Sequence, residues 1–66
     1  MEGTLKVPRF MTEYANHKIG KLSADTVMAE NVKNEMIRKI DRAVFMYRYG
    51  YITIDEAMRI INNPIA

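Results

Sequence analysis

The chain has no cysteine and no tryptophan, one histidine, two prolines and three glycines in 66 residues. Without cysteine there is no disulfide framework and no thiolate zinc site, and the lone His17 cannot build a multi-imidazole one. No cofactor or metal is expected, and the reduced composition fits a cytoplasmic location. The longest purely apolar run, Ala43 to Met46, is four residues, far short of the roughly 20 needed to span a bilayer. Met1 to Val7 carries one lysine, one glutamate and no apolar stretch, so neither a secretory leader nor a membrane association is expected. Neither sign of charge dominates. Ten basic and eight acidic side chains are interspersed for a net +2, which serves solubility and is not the pattern of a dedicated polyanion binder.

A chain this short buries only about 60% of its unfolded surface, so its core needs help. With disulfides absent and a metal site unsupported, self-association is the remaining aid, and a homodimer is expected. What the chain does have is helical periodicity. Pro8 suits the opening of a helix whose apolar positions Phe10, Met11, Tyr14, Ala15 and Ile19 share a broad stripe. Gly20 offers a left-handed stop with Lys18 in the last turn. A helix over 8–19 follows, preceded by a flexible tail at 1–7.

From Ser23 to Tyr49 the chain runs without glycine or proline. Ser23 is a candidate N-cap, Asp25 suits the first turn, and Leu22 with Val27 fits a hydrophobic staple. Ala29, Val32, Met36, Ile40, Ala43 and Tyr47 form one seam, widened by Ile37, Val44 and Phe45. Lys39 interrupts a strict heptad, so the spacing predicts a bundle helix over 23–49, with Asn31 and Asn34 as the places where it would bend or begin late.

The last third has the sharpest local signals. Gly50 suits the left-handed residue after a helix, with Tyr51 closing back on Met46 in a Schellman end. Thr53 and Glu56 form a capping box, and Ile54, Ala57, Met58 and Ile61 give the helical spacing of a third helix over 54–62. The resulting fold is all-α: a long central helix with short flanking helices in one domain, completed by dimerisation. Its expected core is Phe10, Met11, Tyr14, Val32, Met36, Ile40, Val44, Tyr47, Ile52, Ala57, Ile60 and Ile61.

The hairpin read as Gly50, Tyr51, Ile52, Thr53, Ile54, Asp55, Glu56 resembles the G-x-I-T-x-x-E turn of SHOCT-type short C-terminal domains over residues 38–61. Ala57 stands where that family usually has an aromatic. The resemblance implies an oligomerising or docking element.

No constellation suits an enzyme. Glu13 and His17 are one turn apart and read as a surface pair, while Asp55 and Glu56 are explained by capping and the helix dipole. Phe45, Tyr47, Tyr49 and Tyr51 around Arg48 cannot all face one way, and tyrosine with arginine is the composition of protein interfaces. Met28 and Met46, at the stripe edges, add adaptable thioethers. The candidate partner interface is thus Met28, Phe45, Met46, Arg48, Tyr49 and Tyr51. Lys33, Arg38, Lys39 and Arg42 make a candidate basic surface, but the acidic start of the last helix disfavours DNA reading. The expected function is a regulatory or adaptor module that binds protein, of a kind found in phages and mobile elements. The alternative is a nucleic-acid-binding regulator using the basic side of the central helix.

Overall fold

A computed structural model describes residues 4–64, and the first three and last two residues lie outside the description. The described residues form three helices: α1 over Arg9–Ala24, α2 over Glu30–Arg48 and α3 over Ile54–Asn62. The fold is all-α with a long central helix. Grooves between the helices place Thr12, Ala15 and Asn16 beside Val44, Phe45 and Arg48, and Lys21 and Leu22 beside Met36. Thus α1 and α2 run antiparallel, as a short connection requires. The third helix folds back on α2, bringing Ile60 and Pro64 beside Lys39, Arg42 and Met46. At its far end α3 is latched to α1, where Tyr14 donates its hydroxyl to Asn62 Oδ1 and Lys18 donates to the Asn62 carbonyl.

The expected boundary between the first two helices is corrected. The first helix does not stop at Gly20, and the second does not start at Ser23. Leu22 lies four and seven positions beyond Lys18 and Ala15, on the face that carries Met11, and all of Met11, Ala15 and Leu22 are buried. Burying a leucine contributes about 2 kcal/mol, which outweighs the roughly 1 kcal/mol that glycine costs in a helix interior. The helix therefore continues through Gly20, and Ser23 sits in its last turn instead of capping a new one.

Asp25 makes the break. Its N–H still donates to the Leu22 carbonyl, but its carboxylate accepts from the N–H groups of Val27 at 2.8 Å and Met28 at 3.1 Å. This gives the backbone an alternative to the helical ladder. The staple expected between Leu22 and Val27 is absent: Val27 is 93% exposed. Residue Glu30, beside the expected weak point at Asn31, opens α2, with no side chain capping it.

The two N–H donors, Met28 first and Val27 second, hold the Asp25 carboxyl below its ordinary value. A carboxylate whose pKa is lower in the folded state stabilises the fold above its unfolded pKa, and that contribution is lost as pH falls through the folded value. An NMR acid titration should show the Val27 and Met28 amides moving with the Asp25 carboxyl, at a midpoint below that of an unstructured aspartate. Asp25→Asn should abolish that transition. A midpoint at the ordinary value would contradict the turn.

Among the described residues the buried hydrophobic core is Met11, Ala15, Leu22, Ile40, Ala43, Ala57 and Ile61. Three of the seven are alanines, so much of the apolar burial comes from the half-buried residues around them. Of the expected core, Met11, Ile40, Ala57 and Ile61 are buried, while Tyr14, Met36, Val44, Tyr47, Ile52 and Ile60 are half-buried and packed against it. Phe10 and Val32 are corrections, for both are exposed. Pro64, just beyond α3, is buried as well.

The expected free tail is also corrected over 4–7. Leu5 donates its N–H to the Arg48 carbonyl at 2.6 Å, and Val7 packs against the core. The remainder of that tail, 1–3, lies outside the described residues.

Candidate protein interface

Most of the candidate interface is built on the end of α2, where the backbone is unusually well satisfied. The last four carbonyls of a helix have no partner within it. Here Phe45 accepts from Tyr49, Met46 from Tyr51 and Tyr47 from Gly50, at 3.1, 2.9 and 3.0 Å. The last two bonds are the Schellman pair expected from the sequence, with Gly50 at φ +80°. The fourth carbonyl, Arg48, takes the N–H of Leu5.

Gly50 has room for a methyl group but holds a backbone conformation that costs an L-residue about 1–2 kcal/mol. Gly50→Ala should accordingly lower stability to chemical unfolding by roughly 1 kcal/mol without changing helix content. No loss would mean that the turn is not left-handed.

On this anchored end the side chains of Phe45 and Tyr49 meet in a tilted aromatic pair, with ring centroids 4.6 Å apart and planes at 49°. Such pairs contribute about 0.5–1.5 kcal/mol beyond their burial. Both remain largely in solvent, Phe45 54% and Tyr49 44% exposed, and Tyr51 on the turn is 72% exposed. Leu5, at 47%, is pinned by its backbone to the same helix end. Arg48 is exposed and lines a groove with Asp41, Val44, Phe45, Thr12 and Asn16.

Four of the six candidate residues, Phe45, Arg48, Tyr49 and Tyr51, therefore gather at one end of the molecule. The other two are elsewhere. Met46 is half-buried on the opposite flank of α2, in a groove with Lys39, Arg42, Ala43, Ile60 and Pro64. Met28 is half-buried before the start of α2 and packs on the core, so it does not join the cluster. Leu5 was not anticipated, since the tail has no periodicity from which its position could be read.

The basic residues do not form one face. Lys33 is mostly covered and sits 3.9 Å from Glu30 Oε1. Lys39 is half-buried beside Pro64. Arg38 and Arg42 are exposed, and at 100° per residue they share an arc of about 60° with Phe45 and Tyr49, opposite Ile40 and Ala43. Acidic Asp55 and Glu56 open α3, where Thr53 Oγ1 accepts from the Glu56 N–H and Glu56 Oε1 accepts from the Thr53 N–H. Glu13 and His17 are both exposed on α1. Among the described residues no cluster of three or more acidic or histidine side chains is placed to hold a metal ion, and no helix is long and apolar enough to cross a membrane.

Comparison with protein-family models, with curated proteins and with solved structures finds no match to this chain.

Proposed function

We propose that the chain is a small cytosolic interaction module of regulatory or adaptor type, which acts by binding protein, works as a homodimer through its central helix, and catalyses no reaction. The observation that carries this reading is the tilted Phe45 and Tyr49 pair, left in solvent on a helix end whose backbone is fully bonded. A rigid platform presenting aromatics beside arginine limits the ordering entropy lost on binding and has the composition of interface centres. The resemblance of the α2 to α3 turn to oligomerising hairpins agrees with it.

Alanine at Tyr49 tests the reading. Tyr49→Ala, and separately Phe45→Ala, should weaken self-association or capture of a host protein about tenfold, as truncation of an interface aromatic does, with circular dichroism unchanged. Unchanged association would sink the reading, and loss of helicity would make the pair part of the fold instead. A nucleic-acid reading draws on exposed Arg38 and Arg42 on the outer side of α2. Two arginines supply little counterion release, and Asp55 and Glu56 oppose it. Fluorescence anisotropy with mixed-sequence DNA at low salt decides, and no binding under those conditions removes this alternative.

A further inference from the structure

The outer side of α2 is complementary to itself in one orientation. Seven residues are almost two turns, so positions seven apart lie on the same flank of a helix. Two such pairs bracket Phe45. Asp41 and Arg48 lie on the flank facing α1, where both line the groove with Thr12 and Asn16. Arg42 and Tyr49 lie toward the other flank, where Arg42 borders the groove with Ile60 and Pro64. All five side chains are exposed, and among the described residues the only ion pair is that of Lys33 with Glu30.

When two identical helices pack antiparallel about a perpendicular two-fold axis, each flank of one meets the same flank of the other. Placing that axis at Phe45 sets Asp41 against the Arg48 position of a second copy, twice by symmetry. It also sets Arg42 over the ring of Tyr49, a cation beside an aromatic face. The two pairs centre within about half a residue on either side of Phe45, a difference that side-chain length absorbs. Phe45 then meets its own counterpart at the axis, where the Tyr49 rings shield it from water. Parallel packing does none of this. It brings opposite flanks together and leaves Arg48 without a carboxylate.

We infer that the chain forms an antiparallel dimer through α2, with Phe45 on the two-fold axis, Asp41 paired to Arg48 and Arg42 to Tyr49 across it. This rests on the homodimer reading above and specifies its geometry. The isologous arrangement closes, so it stops at two copies. It covers the exposed aromatics and offsets one buried charge with another of opposite sign.

Charge reversal tests it. Sedimentation equilibrium of the full chain, from about 10 µM to 1 mM because the contact is small, should show a reversible dimer. Asp41→Arg and Arg48→Asp should each raise its dissociation constant about tenfold by creating two like-charge contacts, and the double variant should regain most of the loss. Circular dichroism controls for folding, as both positions are exposed. A wild type that stays monomeric at the highest concentration overturns the dimer, while the interaction reading survives if Tyr49→Ala still weakens capture of a host protein. A dimer indifferent to the single reversals, or one that the double variant does not rescue, overturns the register and orientation proposed here.

Discussion

Ile40→Ala should remove a large share of the chain's stability. Ile40 is 0% exposed, near the middle of the central helix, and is one of the few fully buried large side chains among the described residues, with Met11 and Ile61. Truncating such an isoleucine costs about 2–5 kcal/mol, because the cavity left behind cannot collapse fully. A chain of this length has a total stability of roughly 3–10 kcal/mol. The loss is therefore a large share of the whole. Urea unfolding followed by circular dichroism should show the midpoint of Ile40→Ala displaced far toward zero denaturant. Ile40→Val, costing about 0.5–1.5 kcal/mol, should keep a cooperative transition. Should Ile40→Ala unfold like the wild type, the three helices do not share this core.

Ala57→Leu should be nearly as damaging for the opposite reason. Ala57 is also 0% exposed, on the first turns of α3 where that helix packs against the others. Three added carbons have no space, and forcing them in costs about 1–3 kcal/mol through off-rotamer side chains and backbone shifts. In a domain of this size each kilocalorie lowers the melting temperature by about 4–8 °C. Melting should fall by roughly 5–20 °C by that scale. Because α3 must tilt outward, the Tyr14 to Asn62 hydrogen bond should break at the same time, visible as a shift of the Asn62 side-chain amide. A melting temperature within a degree of wild type would show that α3 is loosely attached.

These two positions show why some of the fold is legible in the sequence and some is not. The start of α3 is written within four residues, Thr53 to Glu56, and the end of α2 within six, Met46 to Tyr51, so both are decided locally and read correctly. The end of α1 is decided at a distance. Gly20 is a good local stop, but Leu22 buries against residues of other helices, and nothing near Gly20 announces that. In the same way Asp25 reads equally well as a first-turn residue or as a turn former, and only the accepted N–H groups of Val27 and Met28 distinguish the two.

The candidate interface was legible in kind and not in arrangement. An aromatic cluster around Arg48 is plain in the sequence, yet Phe45 read as part of a wide seam facing inward. It faces out because at 100° per residue it lies opposite Ile40 and Ala43, the buried centre of α2. Phe10 and Val32 are exposed as well, Val32 in the first turn of α2. Helical spacing alone gives the centre of an apolar stripe, and the width that is covered depends on the size of residues on the facing helices.

The bond between Leu5 and Arg48 carries a consequence for how the molecule is made. Donor and acceptor are separated by α1 and nearly all of α2, and closing so long a loop costs more chain entropy than one hydrogen bond returns, so the Leu5 amide stays bonded to water until those helices have packed. The helix end that presents Phe45 and Tyr49 thus obtains its last backbone partner only once α1 has docked, so a contact remote in sequence completes a cap that is otherwise local.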